Sequence, residues 1–261
     1  MIDKTESLTP AALTVIDGYM RLKIGAASAG VPYFNNKTVR ARMSLRVKVG
    51  KGSPTDITEE ITAIITKQHV SAAALTDQSL AKLLVDSGLG IDCSGFSYHV
   101  LDAESQARGQ GHLNKHLRFM KANNPMTKML SYLRPVENCD VRTLGSDMNS
   151  RIVALSDVRP GDMITMVGGP GGDDRNHILV IREVDREDGI PRAIRYSHAV
   201  AYPEDGLYGT GIKQGAIEIA FPKEPLTKQI WTEGGSAEKA RLIFERAQAS
   251  VTELRRLKWL L

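Results

Sequence analysis

Apolar residues near the start of the chain recur at helical spacing. Leu13, Ile16, Met20 and Ile24 follow Thr9-Pro10, a pair suited to the N-cap and first position of a helix. The spacing predicts a helix from Pro10 that ends between Gly25 and Gly30. Further on, Met43, Leu45, Val47 and Val49 alternate with Ser44, Arg46 and Lys48, which predicts a half-exposed strand with a basic outer face. Two short helices are expected at about 58–68 and 77–87, the second capped by Thr76 or Asp77. Gly88 and Gly90 then turn the chain into a helix that starts at Cys93 and runs to about Ala107. Another helical stretch is expected at 113–121, and 123–150, rich in Asn, Pro, Ser and Asp, has no readable period.

The pattern changes after Ile152. Arg159-Pro160-Gly161-Asp162 is a turn that enters the apolar run Met163-Ile164-Thr165-Met166. The Gly-rich run 168–174 reads as a loop. His177 opens the run Ile178-Leu179-Val180-Ile181, a buried strand. A charged turn at 185–189 leads into strands at 193–201 and 215–221. Ala240, Ile243, Phe244, Ala247, Val251, Leu254 and Leu257 are helically spaced and predict one amphipathic helix over 237–261. Helices first and strands afterwards argue for an α+β fold, with helices packed on an antiparallel sheet.

Composition narrows the class. The chain has 261 residues, 25% charged and 42% hydrophobic, enough to bury a full core. We expect one domain spanning 1–261. A net charge of +4 favours anionic partners only weakly. The basic face at Arg40, Arg42, Arg46 and Lys48 has few aromatics beside it, so no nucleic-acid partner is expected. No window is apolar enough to span a membrane. The first residues carry no apolar signal core, so a cytoplasmic location is expected, or export if a signal has been removed. Two cysteines, Cys93 and Cys139, neither form a disulfide framework nor make a Cys-x-x-Cys pair.

Cys93 stands in Gly90-Ile91-Asp92-Cys93-Ser94-Gly95-Phe96, at the expected helix start. Unpaired N–H groups and the dipole there favour a thiolate, the nucleophilic form. Such a nucleophile needs a base, and the base needs a group that orients its ring. His177 and His198 fall on what read as neighbouring antiparallel strands, where side chains can meet. A histidine at the mouth of an apolar strand needs a polar partner, and these two can partner each other.

In this order Asp92-Cys93-Ser94-Gly95-Phe96, Gly161-Asp162, His177 and Ser197-His198-Ala199 resemble the NlpC/P60 family of papain-like cysteine peptidases, and Gly30-Val31-Pro32-Tyr33 resembles that family's Gly-x-Pro-Tyr element. The resemblance implies a papain-like fold with insertions at about 34–90 and 109–150. It implies Cys93 as nucleophile, His177 as general base and His198 as the residue that orients it. Tyr33, Asp92 and Ser94 match positions lining the substrate side, and the backbone N–H of Cys93 the oxyanion donor. It implies a bacterial hydrolase that cuts an amide bond in a cell-wall (peptidoglycan stem) peptide or muropeptide, without a cofactor or metal. A catalytically silent binding module of the same fold, or a thiol amidase or acyltransferase on an intracellular substrate, stays open.

Other candidates weigh less. His112 and His116 are spaced as two zinc ligands would be, but no third ligand accompanies them. The Gly168–Gly172 run lacks the Lys-Ser/Thr of a phosphate loop. His99 shares the Cys93 helix and reads as structural. His69 has no context, and nothing in the sequence sets the oligomeric state.

Overall fold

The computed structural model describes residues 4–34, 46–119, 129, 133–168 and 176–260. The chain opens with strand β1 (Lys4–Ser7), helix α1 (Pro10–Met20) and a small hairpin of β2 (Leu22–Ile24) and β3 (Ala27–Ala29). Helices α2 (Pro54–Lys67), α3 (Asp77–Asp86) and α4 (Cys93–Ala107) follow, then the single turns α5 (Pro135–Asn138) and α6 (Val141–Leu144). The second half holds β4 (Ser150–Ile152), β5 (Met163–Val167), β6 (His177–Glu187), β7 (Ile190–Ala199), β8 (Ile212–Glu218), β9 (Ile230–Glu233), α7 (Ala237–Ala249) and β10 (Val251–Leu257).

One antiparallel sheet runs in the order β4-β10-β5-β6-β7-β8-β9, and β1 pairs with the outer half of β6 beyond β5. The fold is α+β, as the order of patterns implied. β6 and β7 form a long hairpin closed by Asp188-Gly189. Both residues have positive φ, the conformation that a two-residue turn needs to follow the twist of its strands.

Apolar side chains fill both faces of the sheet. On one face Met163, Ile178, Val180 and Ala199 meet α1 and α4. On the other Ile164, Met166, Leu179, Ile181 and Tyr196 lie under Ile243 and Ala247 of α7. This is why the β6 run reads as continuously apolar: a strand covered on both faces loses the alternation of a half-exposed one.

Several expectations change. The first helix stops at Met20, and Ile24 belongs to the β2–β3 hairpin, since the chain must double back to reach Val31. Arg46–Val49 is a 3₁₀ turn and not a strand; the rest of that alternation lies outside the described residues. The stretch expected as helix from 113 contains only the 3₁₀ turn Leu113–Lys115, and residues 120 and 121 lie outside the described residues. Of the Gly168–Asp174 loop only Gly168 is described.

The largest correction is at the C-terminus. The expected helix over 237–261 ends at Ala249, and Val251–Leu257 is an inner strand between β4 and β5. Val251, Leu254 and Leu257 do fit a helical period. The paired edges of β4 and β5 offered this segment ladder hydrogen bonds on both sides, and tertiary pairing outweighed local pattern. β1 was not anticipated either; its run Lys-Thr-Glu-Ser carries no strand signal and is held by pairing to β6.

Candidate active site

α4 begins where the sequence places it. Asp92 is the N-cap, and its Oδ1 accepts the Gly95 N–H at 2.6 Å. Gly95 is required here because a Cβ would sit 2.6 Å from the Gly50 carbonyl oxygen. That close approach sets Lys51 under the start of the helix. Its ammonium, almost wholly buried, donates to Asp92 Oδ1 at 3.0 Å, Ser94 Oγ at 2.6 Å and the Cys139 carbonyl at 3.0 Å. Ser94 in turn donates to Asp92 at 3.0 Å. Asp92 Oδ1 and the Ser94 hydroxyl therefore face inward onto a cation that sequence reasoning did not single out. Tyr33 runs beside Ile91 in a parallel bridge, two residues ahead of Cys93.

His177 and His198 meet. His177 Nε2 lies 2.6 Å from His198 Nδ1, and His198 Nε2 lies 3.0 Å from Glu233 Oε1. The Tyr196 hydroxyl donates to Glu233 Oε2 at 2.7 Å. Both imidazoles and the carboxylate are buried. The carboxylate fixes the tautomers in sequence. Glu233 can only accept, so His198 carries its proton on Nε2 and presents a lone pair on Nδ1. His177 then donates from Nε2, which leaves its Nδ1 unprotonated. That nitrogen is the free basic atom of the chain.

The sheet register sets how thiol and imidazole approach. Directly opposed residues share a face, and Met166, opposite His177, lies in the cluster under α7. Cys93 belongs to the cluster on the α4 face, with Ile178 and Val180. The β6–β7 ladder begins only at Val180 and Ser197, so the His177 end of β6 is not paired to β7. The Ile178 backbone N–H faces the thiol there, and the Arg246 guanidinium of α7 acts on both Cys93 and His177. The Cys93 thiol thus lies at the Ile178 N–H, next in sequence to His177, at the open end of the ladder, while the register puts the His177 side chain on the α7 side. Among the described residues no hydrogen bond joins Cys93 Sγ to His177.

The electrostatics differ from the thiolate expected of a helix start. Burial, and next the Asp92 carboxylate, push the Cys93 thiol up to about 12, against Lys51, Arg246 and the Ile178 N–H. Burial, then Arg246, hold His177 well below the ordinary histidine value. At rest Cys93 is a thiol and His177 a neutral imidazole. The burial that makes the site water-poor outweighs the half-charge of the helix terminus. Burial also raises Cys139 to about 12.

Lys51, Tyr196, Glu233 and Arg246 complete this region. Glu233 follows His198 by 35 positions and sits in a strand with no motif around it, so only the sheet order β7-β8-β9 brings it in. Among the described residues no group of three or more His, Cys, Asp or Glu is placed to hold a metal ion, and His112 instead faces the Asp102 carboxylate at 3.2 Å. Among the described residues no helix is long and apolar enough to cross a membrane. No family model, curated protein or solved structure matches this chain.

Proposed function

We propose that the chain is a papain-like cysteine hydrolase of NlpC/P60 type that cleaves an amide bond in a peptide, the substrate class being a bacterial cell-wall stem peptide. One observation carries this reading: the hydrogen-bonded order His177–His198–Glu233 leaves a lone pair on His177 Nδ1 at the same open strand end where the Cys93 thiol meets the Ile178 N–H.

The chemistry follows from the resting thiol and neutral imidazole. Cys93 Sγ attacks the carbonyl carbon as its proton passes to His177 Nδ1. The carbonyl oxygen takes up charge beside the Cys93 backbone N–H, which makes no backbone hydrogen bond among the described residues. His177 gives the proton to the leaving amine, and the acyl group stays on sulfur as a thioester. Water, losing a proton to His177, attacks the thioester; the acid departs and the thiol is restored. His198 and Glu233 keep the reacting lone pair in place throughout.

The thiol raised to about 12, with no hydrogen bond to His177, favours a second reading, a silent module that binds such peptides without cutting them. Incubation with purified stem peptides and mass analysis of the products separates the two. The hydrolase cuts, Cys93→Ala loses on the order of 10³-fold or more in rate, and Cys139→Ala stays near wild type. Peptide binding without cleavage by the wild type, unchanged in Cys93→Ala, establishes the silent module instead.

A further inference from the structure

Asp92 and Ser94 flank Cys93 in the chain, and the Lys51 ammonium is hydrogen-bonded to both side chains. The cation is therefore held beside the thiol by the residues on either side of it. Its backbone leaves it no freedom to swing away. The Lys51 N–H donates to the Arg46 carbonyl at 3.1 Å, and its own carbonyl accepts from His99 Nε2 at 2.9 Å. Lys51 also bridges Ile91 in antiparallel register. His99 stands on α4, the helix that Cys93 begins. The helix that carries the thiol thus pins the lysine at its main chain and at its ammonium.

The arrangement answers a conflict built into the helix start. Asp92 Oδ1 accepts from the Gly95 N–H at 2.6 Å, the Ser94 hydroxyl at 3.0 Å and the Lys51 ammonium at 3.0 Å. Such a cap fixes the first turn of α4, but its negative charge next to Cys93 opposes ionisation of the thiol. The charged groups that act on the thiol come from three elements: Asp92 at the cap of α4, Lys51 ahead of α2 and Arg246 on α7. After burial, Asp92 does most to raise the thiol, and Lys51 does most to lower it. Burial works against the charge of Lys51 as well, but Asp92 and Cys139 offset it and hold the amine above the ordinary lysine value. The ammonium is thus in place when the thiol gives up its proton.

We propose that Lys51 is a positioning residue for Cys93: it holds and neutralises the Asp92 cap, so that the carboxylate that fixes the helix start does not oppose the charge that develops on sulfur. This rests on Cys93 being the nucleophile proposed above. Lys51 touches no reacting atom. It acts on the step in which Cys93 Sγ gains negative charge as its proton leaves, and it carries the same charge before and after that step.

Alkylation by iodoacetamide reads this charge apart from turnover: sulfur takes the carbon, iodide leaves and the thiol proton goes to solvent. Peptide mass separates Cys93 from Cys139. The rate is followed from about pH 7 to about pH 9 at low urea, where the part that does not change with urea is reaction of the folded protein. In that part Lys51→Met should be about tenfold slower than wild type at each pH, as the loss of a cation within a few ångströms of the developing thiolate provides. Lys51→Arg keeps the charge and should recover part of the rate. A merely structural lysine gives the opposite sign, since a loosened helix start exposes the thiol and speeds the reaction. Where Lys51→Met is too unstable to assay, Lys51→Met combined with Asp92→Asn leaves no lone charge and still caps the helix. That double variant should be about tenfold slower than Asp92→Asn alone. A folded-state rate in Lys51→Met equal to or above that of wild type, or in the double variant equal to or above that of Asp92→Asn, overturns the role of Lys51 while Cys93 remains a nucleophile. A folded wild type whose Cys93 takes up no reagent overturns the nucleophile, and this proposal with it.

Discussion

Two buried polar clusters flank the open end of the β6–β7 ladder, and they are built on opposite principles. At the start of α4, Lys51 spends its three donors on Asp92, Ser94 and the Cys139 carbonyl, and Asp92 also caps the helix. All three donors of the ammonium are taken up within that cluster. On the α7 face the chain Glu233–His198–His177 ends in a free lone pair, and Arg246 and the Tyr202 hydroxyl have no partner among the described residues. A closed cluster fixes geometry; an open one has capacity to bind. The resemblance implied that Asp92 and Ser94 line the substrate side, yet their inward engagement with Lys51 gives them a share in holding Cys93 in position.

The difference can be broken most severely at Lys51. Its ion pair with Asp92 is nearly dry, with side-chain exposures of 9% and 14%. Removing one partner of a buried pair leaves an uncompensated charge, and Lys51→Met should cost about 3–5 kcal/mol. Urea unfolding followed by far-UV circular dichroism measures it. A loss below about 1 kcal/mol would mean that Gly95 and Ser94 suffice for Asp92 and that the cluster is not closed by the cation.

The two clusters were unequally legible in the sequence. Cys93, Asp92 and Gly95 lie within four positions, and the turn at Gly88 and Gly90 marked the helix start in the sequence. His177 and His198 were legible because a polar residue at each end of an apolar run demands a partner, and a hairpin supplies one. Lys51 and Glu233 were not, because their partners lie 41 and 35 positions away and nothing local marks them. Arg246 was hidden by the C-terminal misreading. A helix continued to Leu261 has no fixed end over the sheet, whereas the turn at Ser250 into β10 puts Arg246 beside His177. The thiol was misjudged because a sequence shows the helix dipole but not the burial that opposes it.

A smaller effect sharpens the second cluster. His177 is neutral when folded, with its pKa depressed well below 6.5 by burial first and Arg246 second. Unfolding frees it to bind a proton near its ordinary value. Its contribution to stability is therefore present above about pH 6.5 and is lost as pH falls towards the folded value, at up to about 1.4 kcal/mol per pH unit. His99, also depressed by burial, adds a loss of the same sign. His177→Gln keeps an N–H for His198 and cannot titrate, so its stability between pH 6.5 and pH 5 should fall less steeply than that of the wild type. Urea midpoints across that range give both slopes. Equal slopes would show that His177 is not held neutral, and the tautomer order from Glu233 would then no longer leave a free base at Nδ1.

The smallest effect separates structure from function most cleanly. Among the described residues Arg246 has no partner to lose, so R246Q should change stability by no more than about 0.5 kcal/mol, the range of an ordinary surface substitution. The same loss of one positive charge at Lys51 is expected to cost several times more, because there a carboxylate is left behind in a dry site. Removing the guanidinium should also relax His177, since Arg246 helps to keep that imidazole from protonating. R246Q should therefore lose slightly less stability on acidification than the wild type, the same sign as His177→Gln and smaller in size. Urea midpoints at pH 7 and pH 5 read both quantities from one preparation. A loss of 2 kcal/mol or more at pH 7, beyond what an unpaired surface group costs, would show that Arg246 is a structural member of the α7 face and that the second cluster is closed like the first.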